Sequence, residues 1–158
     1  MIRTGIGFDI HGFDPDRPLI LGGVHIANCH GLIGHSDADV LAHAIADALL
    51  GAVAAGDIGH HFPDTDPAWK NADSLELLRR VAGMLQQRCA TIVNTDATVM
   101  AEIPRLAPYI DSMRARLAEA MGITTDAVSV KAGTMERMGA IGRREGIAVM
   151  AVATVSTH

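Results

Sequence analysis

Asp9, His11 and His43 are the residues of this sequence whose types and spacing most favour metal chemistry. Apolar residues alternate with small or polar ones over residues 2–10, which predicts a strand. Because residues two apart on a strand point to the same side, Asp9 and His11 would project together from its end. One carboxylate and two imidazoles suit Zn²⁺ or a similar ion and leave a coordination position open for a substrate oxygen. The alternative interpretation of the strand pair is a turn-capping aspartate beside a surface histidine.

His43 belongs to the segment 35–51, HSDADVLAHAIADALLG, which has the pattern of a helix with one buried face. Its apolar residues recur at helical spacing: Val40, Leu41, Ala44, Ile45, Ala48 and Leu49. Ser36 followed three residues later by Asp39 predicts that the helix begins there, as in a capping box. Gly51 predicts that the helix ends there.

Asp39, His43 and Asp47 form a second stripe on this helix, since residues four apart share one face. A solvated polar face is the simpler interpretation of such a stripe. The polar residues 35–37 favour a functional site instead, because the free backbone N–H groups at a helix start attract anions.

Composition limits the classes of protein that this chain can belong to. With 158 residues, of which 49% are hydrophobic and 3% aromatic, we expect one globular domain, 1–158, with a core of small and aliphatic side chains. Thirteen Lys and Arg against 18 Asp and Glu give a net charge of −5. No basic cluster exceeds the pairs Arg79-Arg80 and Arg143-Arg144, so we expect no nucleic-acid surface.

Targeting signals and other catalytic motifs are also not found. The N-terminus has no signal-peptide pattern and no apolar run reaches about 18 residues, which predicts a soluble cytoplasmic protein with no membrane association. Cys29 and Cys89 form neither a CxxC pair nor a metal spacing, so reduced thiols are expected. The lack of a P-loop, GxGxxG, HExxH or GxSxG motif disfavours Walker-type nucleotide hydrolysis, Rossmann redox chemistry and serine hydrolysis.

The remaining patterns predict an α/β protein of the α+β type. Strands are predicted over 2–10, 19–21, 24–26, 90–101, 128–132 and 147–157. Helices are predicted over 36–51, 74–88 and 104–121. This order favours a mixed sheet of four to five strands with helices on one face. The last strand is partly apolar on both faces, so the simplest cover for the second face is another copy of the chain.

Four longer motifs then carry a resemblance to a known family. FDIH at 8–11, HSDADVLAHAIADALLGA at 35–52, DIGHHFPDTDP at 57–67 and GRREGIA at 142–148 resemble the 2-C-methyl-D-erythritol 2,4-cyclodiphosphate synthases of the non-mevalonate isoprenoid pathway. The similarity runs essentially from end to end. It implies a lyase that converts 4-diphosphocytidyl-2-C-methyl-D-erythritol 2-phosphate into the cyclic diphosphate and CMP, by attack of the 2-phosphate on the β-phosphate.

The resemblance also implies cofactors and site residues. It places Zn²⁺ on Asp9, His11 and His43, and a second ion, Mg²⁺ or Mn²⁺, on Glu136. Asp39 and Asp47 would orient ligands or the helix. The implied catalytic residues are His35 and Thr134. The implied substrate contacts are His35, Ser36, Asp57, Gly59, Phe62, Pro63, Asp64, Thr65, Asp66, Ala101, Pro104, Arg105, Leu106, Ala107, Ala132, Gly133, Thr134, Glu136 and Arg143.

Family members are homotrimers with sites between subunits, which the resemblance extends to this chain. Phe8, Arg143 and Glu145 match residues that line a central cavity, which in some members holds an isoprenoid diphosphate. Two positions depart from the family pattern: Gly133 stands where relatives often carry a hydroxyl residue, and Arg144 replaces a common glycine.

Two other functions remain open from the residues alone. A metal-dependent phosphohydrolase could use the same Asp-His-His set with water as the nucleophile. A trimeric binder of isoprenoid diphosphates, or a metal store, would bind without turnover, but such a role gives no reason for the FPDTD segment at 62–66 or the AEIPRLA segment at 101–107.

Overall fold

The computed structural model describes residues 1–157; His158, which the predicted domain includes, lies outside the described residues. The strands of this part of the chain are β1 (Ile2–Asp14), β2 (Leu19–Leu21), β3 (Val24–Ile26), β4 (Gly31–Leu32), β5 (Ala90–Met100), β6 (Val128–Gly133) and β7 (Gly146–Thr157). Its α-helices are α1 (Val40–Ala52), α2 (Ile58–His61), α3 (Ser74–Gln87), α4 (Ile110–Met121) and α5 (Gly139–Gly142).

Five strands form one mixed sheet in the order β4-β1-β7-β5-β6. Strand β7 pairs antiparallel with β1 on one side and β5 on the other, while β5 and β6 run parallel. The chain crosses from β5 to β6 through α4, as a parallel pair requires. The predicted α/β class and mixed sheet are confirmed. Strands β2 and β3, both predicted, form a hairpin, and Gly22 and Gly23 take the positive φ angles of 56° and 72° that its turn demands.

Helices α1, α3 and α4 cover one face of the sheet and form the core with it. Helix α1 lies very close to β1 because the strand presents glycines to it. A Cβ on Gly5 would lie 2.0 Å from the Ala48 carbonyl oxygen, and one on Gly7 would lie 1.9 Å from the Ala44 carbonyl oxygen. Such distances are far below van der Waals contact, so only glycine at these positions permits this packing.

The other face of the sheet is apolar and open in the single chain. Its exposed large side chains, 39–65% accessible, are Ile2, Ile6, Phe8, Ile10, Met150 and Val152. These residues come from the paired strands β1 and β7 and therefore adjoin one another. A continuous apolar surface of this kind is typical of an interaction site.

Helix α1 begins and ends differently from the prediction. Its N-cap is Asp39, whose carboxylate accepts the Ala42 N–H at 3.0 Å, whereas Ser36 lies before the helix and accepts the Ala38 N–H. An aspartate directly before Val40 caps as well as a serine, and the chain uses the later of the two. Gly51 lies inside the helix, which runs on to Ala52.

Other boundaries also differ from the sequence prediction. Strand β1 continues to Asp14 because its end pairs with β4, which was not predicted. Helix α4 begins at Ile110 instead of residue 104, after a 3₁₀ turn over Ala107–Tyr109. Pro108 cannot donate an N–H, so it fits a first turn and not a helix interior. Within residues 1–157, no helix has both the length and the apolar character to cross a membrane.

Replacing Gly7 by Ala tests the close packing of α1 on β1. The added methyl group meets the Ala44 carbonyl, so we expect a loss of about 3 kcal/mol or more in the free energy of unfolding. The matched control is Gly83→Ala in α3, where a Cβ would meet nothing within 4 Å and where about 0.5–1 kcal/mol of stabilisation is expected. Denaturant unfolding measures both values, and equal stability of the two variants would contradict the packing argument.

Candidate active site

Asp9, His11 and His43 come together where α1 crosses the end of β1. Asp9 and His11 lie on the same face of β1 as Gly5 and Gly7, the face that packs against α1, and His43 comes from α1 itself. Asp9 Oδ2 lies 2.9 Å from His11 Nε2 and 3.1 Å from His43 Nδ1. Within residues 1–157 these three side chains form the one cluster whose ligand atoms, all within 4.8 Å of one another, could hold a metal ion.

The electrostatics of the cluster keep Asp9 ionised. Burial raises the pKa of Asp9, but hydrogen bonds and charge from His11 and His43 outweigh it and hold this pKa far below 3.8. Burial lowers the pKa of His11, and Asp9 outweighs that effect so that this pKa lies above 6.5. A metal cation would replace the imidazolium proton as the partner of the carboxylate, so the donor set fits a divalent ion.

Each histidine of the cluster uses its second ring nitrogen for an outer contact. His11 Nδ1 donates to the Ile33 carbonyl oxygen, which leaves Nε2 facing Asp9. His43 Nε2 lies 2.8 Å from Ser74 Oγ and 3.2 Å from Ser36 Oγ.

A cavity of about 380 Å³ opens beside the cluster. Of the predicted site residues, its lining contains Asp9, His11, His35, Ser36, His43, Gly59, Phe62 and Asp64. Its other lining residues are Gly34, Asp47, Ile58, Trp69 and Leu77. The structure thus joins the metal cluster to the predicted phosphate-binding segment and to part of the 57–66 loop.

Arg17 fixes the segment that carries His35 and Ser36. Its guanidinium donates to the carbonyl oxygens of Gly34 and Ser36. His35 Nε2 lies 3.0 Å from the Asp66 carbonyl oxygen, which ties the segment to the loop that covers the cavity.

Several aspartates predicted as substrate contacts serve the backbone here. Asp57 caps α2 by accepting the His60 N–H at 2.8 Å, and Asp66 accepts the Ala68 N–H at 2.9 Å. Neither of these two residues lines the cavity, and the same holds for Pro63 and Thr65. Their predicted role in substrate binding stays a prediction.

Asp39 and Asp47, predicted to share a face with His43, take separate roles. Asp39 is fully buried and accepts N–H groups from Gly22 and Gly23 at 2.9 and 2.7 Å, so it joins the hairpin to the start of α1. Burial raises its pKa to about 6 against the effect of these hydrogen bonds. Asp47 accepts the Ile58 N–H at 2.7 Å and thereby holds α2 beside the cavity.

A second cavity of about 390 Å³ lies where β5 and β6 end. Its lining contains the predicted residues Ala101, Pro104, Arg105, Leu106, Ala107, Ala132, Gly133 and Thr134, and also Glu102, Ile110, Val130 and Lys131. Glu136 lies beside it, with its carboxylate 3.3 Å from Thr134 Oγ1.

The 134–137 loop holds an uncommon backbone shape. Glu136 and Arg137 have φ angles of 51° and 62°, in the left-handed region that side chains rarely adopt. The Glu102 carboxylate accepts the N–H groups of Met135 and Arg137 at 2.9 and 3.1 Å, which stabilises that conformation.

The two cavities open at the same end of the sheet but on different strands. Asp9 of β1 and Val99 of β5 both pair with Val149 of β7, so they lie at one level. Strands β1 and β6 are three places apart, roughly 14 Å. One chain therefore presents two separate cavities side by side.

The residues matched to the central cavity of the family lie outside both cavities. Arg143 is exposed and pairs with Glu145 at 2.7 Å, and Phe8 lies on the open sheet face. Arg144 has a φ angle of 64°, in the left-handed region that favours glycine.

Sequence reasoning missed Ser74 and Arg17 as parts of the site. Ser74 was predicted only as the first residue of a helix, and Arg17 lies between two predicted strands. Both reach the site through contacts with residues 17 to 37 positions away, which no local pattern reports.

The fold and the site together define an α/β chain in which a cluster able to hold a metal ion lies where the first long helix crosses the end of β1. Comparison with known proteins specifies the class further. A sequence profile of the YgbB family matches residues 2–156. A Thermosynechococcus vestitus protein named 2-C-methyl-D-erythritol 2,4-cyclodiphosphate synthase is 55% identical over 156 residues, which are 99% of this chain and 97% of the relative.

Solved structures agree with this result. The bifunctional IspDF from Campylobacter jejuni matches 100% of the chain with a TM-score of 0.96 and 42% identity, and the chain spans 43% of that longer protein. IspF from Plasmodium falciparum, in a CDP complex, matches 99% of this chain and 96% of that chain, with a TM-score of 0.86 and 31% identity. The chain therefore belongs to the YgbB family, that of the 2-C-methyl-D-erythritol 2,4-cyclodiphosphate synthases, and is a lyase that acts on phosphorus–oxygen bonds.

The Asp9–His11 pair predicts a pH dependence of stability in the metal-free protein. The lowered pKa of Asp9 contributes stability above pH 3.8 that is lost as the pH falls toward the folded-state value. The raised pKa of His11 contributes stability below pH 6.5 that is lost as the pH rises through the folded-state value. We therefore expect Asp9→Asn to cost most, about 1–3 kcal/mol, between pH 3.8 and pH 6.5.

Chemical denaturation of both proteins in chelator, from about pH 3 to about pH 9, measures this difference. A difference in unfolding free energy that stays constant over the range would contradict the ion pair.

Proposed function

We propose that this chain converts 4-diphosphocytidyl-2-C-methyl-D-erythritol 2-phosphate into 2-C-methyl-D-erythritol 2,4-cyclodiphosphate and CMP. An oxygen of the 2-phosphate attacks the β-phosphorus, and the bond from that phosphorus to the oxygen bridging the two phosphates breaks. CMP leaves with the bridging oxygen. The observation that carries the proposal is the Asp9, His11 and His43 cluster opening into the cavity that His35 and Ser36 line, in a chain of this family.

Asp9, His11 and His43 would hold Zn²⁺, because two imidazole nitrogens and one carboxylate oxygen are its usual ligands in catalytic sites. When bound, the ion would polarise the phosphoryl group that is attacked and stabilise the charge that develops there. His35 and Ser36 would hold a phosphate of the substrate in the segment before α1, because both line the cavity that contains the metal cluster. In such a reaction the protein chiefly positions the phosphates and neutralises their charge.

Glu136 would hold the second ion, Mg²⁺ or Mn²⁺, together with phosphate oxygens and water, which suits hard cations. Thr134 lies within 3.3 Å of the Glu136 carboxylate and would contact the diphosphate beside that ion. The cavity that Ala101, Arg105 and Leu106 line would take the cytidine. The CDP bound to the Plasmodium falciparum relative supports a cytidine ligand.

The 57–66 segment would cover the methylerythritol part of the substrate. The rings of Phe62 and Trp69 pack edge to face with their centroids 5.0 Å apart, and they form an apolar wall of the cavity beside the metal cluster. Asp64, which also lines this cavity, would accept hydrogen bonds from hydroxyl groups of the substrate. Asp57, which caps α2, stays a candidate for the same role.

We further propose a homotrimer. In it, the cavity beside the metal cluster of one subunit would join the cavity at the ends of β5 and β6 of the next subunit to form one complete site. The exposed apolar face of β1 and β7 supports this assembly, because it needs a cover that one chain does not supply. Phe8, Arg143 and Glu145 would then line a central cavity able to take an isoprenoid diphosphate. We also propose that residues 1–158 form a single domain and that the protein is cytoplasmic.

Phosphorus NMR of the products tests the reaction. Purified protein, the cytidyl substrate and Mg²⁺ should give a cyclic diphosphate and CMP, and a zinc chelator should abolish both. Linear phosphate products would indicate a phosphohydrolase that uses water as its nucleophile. Substrate that binds and stays intact would indicate a binding protein and contradict the proposal.

Replacing His43 by Ala should remove the zinc ion and the activity together. Two remaining ligands bind zinc weakly, so we expect zinc affinity to fall more than about 100-fold. The matched control is His30→Ala, since His30 is exposed and outside the cluster, and its zinc content should not change. Metal analysis and CMP release measure both effects, and an active His43→Ala protein with full zinc content would contradict the ligand assignment.

Replacing Glu136 by Gln should separate the two metals. We expect zinc content to stay and the Mg²⁺ concentration for half-maximal rate to rise about tenfold, because a neutral amide binds Mg²⁺ weakly. Glu119→Gln, an exposed change in α4, serves as the control. An unchanged Mg²⁺ titration of Glu136→Gln would overturn its role.

A further inference from the structure

Ser74 and Asp37 lie behind His43, on the side of the ring that faces away from Asp9. Ser74 Oγ is 2.8 Å from His43 Nε2, and Ser74 is only 1% exposed. The Ser74 hydroxyl also contacts Asp37 Oδ1, and the Ser74 backbone N–H donates to Asp37 Oδ2 at 3.1 Å. The side chains of His43, Ser74 and Asp37 therefore form a line of contacts. It runs from the metal cluster to the Asp37 carboxylate, which contacts the first residue of α3.

The direction of each hydrogen bond in this line follows from the carboxylate. An ionised carboxylate only accepts, so the Ser74 hydroxyl must donate its proton to Asp37. The remaining lone pairs of Ser74 Oγ then accept, and His43 Nε2 must supply the proton. With that proton on Nε2, the nitrogen left for a metal ion is Nδ1, the atom 3.1 Å from Asp9 Oδ2. In the metal-free chain a proton on Nδ1 donates to Asp9, and a metal ion would displace it.

From this geometry we infer that Ser74 and Asp37 are positioning residues: they hold His43 in the Nε2–H tautomer, so that Nδ1 is free to bind the metal ion. The inference deepens the proposed function and rests on His43 being a metal ligand. A neutral histidine without such a partner can place its proton on either nitrogen, and one of the two choices blocks the ligand atom.

His11 reaches the same state by a different contact. Its Nδ1 donates to the Ile33 carbonyl oxygen, a backbone acceptor that cannot reverse its role, and this leaves Nε2, 2.9 Å from Asp9 Oδ2, as the nitrogen for a metal ion. His43 has side-chain hydroxyls in the corresponding place, and a hydroxyl can donate or accept. The Asp37 carboxylate removes this ambiguity for Ser74.

Ser36 gains a function from the same arrangement. Its Oγ accepts the Ala38 N–H at 3.2 Å and lies 3.2 Å from His43 Nε2, whose proton points to the two serines. The Ser36 hydroxyl proton is then directed away from His43, toward Ser74 Oγ at 3.4 Å or toward an anion in the cavity.

The structural role of Ser74 can be separated from this positioning role. Ser74 is the first residue of α3, but the cap of that helix is Asp73, whose carboxylate accepts the Leu75 N–H at 2.9 Å. Ser74→Ala therefore removes the hydroxyl behind His43 and keeps the cap. Asp73→Ala removes the cap and keeps the hydroxyl, which makes it the matched control.

Two measurements on the full chain test the inference. Nitrogen-15 NMR of the histidine rings in the metal-free protein should show a proton on His43 Nε2, and Ser74→Ala should lower the occupancy of this proton. Competition with a chelator should show zinc binding weakened about 10–100-fold in Ser74→Ala. Asp73→Ala should lose thermal stability while its zinc dissociation constant stays within about twofold.

A folded Ser74→Ala protein with the wild-type occupancy of the Nε2 proton and the wild-type zinc affinity would overturn the inference. A wild-type His43 that carries no proton on Nε2 would overturn it as well, even if the variant did not fold. Wild-type protein that binds no zinc would contradict the proposed function, and the Nε2 proton of His43 in the metal-free protein would still decide the inference.

Discussion

The close approach of α1 to β1 is the constraint on which the site depends. Gly5 and Gly7 let the helix backbone rest on the strand backbone, with no side chain between them. Two and four residues further along the strand, Asp9 and His11 continue the same face and meet His43 of the helix. Side chains at the glycine positions would lift the helix off the strand and separate the ligands of the cluster.

Three acids, the buried Asp39 and the half-buried Asp47 and Glu102, fix the segments around this contact through their backbone partners. Asp39 joins the β2–β3 hairpin to the start of α1, Asp47 holds α2, and Glu102 holds the loop that carries Glu136. In each case a carboxylate satisfies N–H groups that a loop or helix end would otherwise leave free. The loops beside both cavities are therefore positioned by polar contacts with the scaffold, while the aliphatic core supplies rigidity.

Local patterns in the sequence account for much of this structure. The two-residue period of β1 predicts that Asp9 and His11 share a face, and the helical spacing of residues 40–49 predicts α1. Helix ends were predicted less well, because Ser36 and Asp39 both suit a cap and only tertiary packing selects between them. The resemblance to a known family, in contrast, implied site residues in β1, in and before α1, and in the 57–66 segment at the same time.

Contacts between distant segments could not be predicted from spacing. Nothing in the sequence around Ser74 indicates that its hydroxyl faces His43, 31 residues earlier, or that Arg17 binds carbonyls near Ser36. Such contacts depend on how α3 and the loop before β2 pack on α1, which is a property of the whole core. The open face of β1 and β7 was predicted in outline, since the apolar residues on both sides of β7 are visible in the sequence.

Diffraction from zinc-soaked crystals, recorded on both sides of the zinc absorption edge, tests most directly whether the meeting of α1 and β1 creates a metal centre. We expect one strong anomalous peak per chain, bonded to Asp9, to His11 Nε2 and to His43 Nδ1. A zinc ion held by other side chains, or crystals with full zinc content and no peak at this cluster, would contradict the metal centre described for this fold.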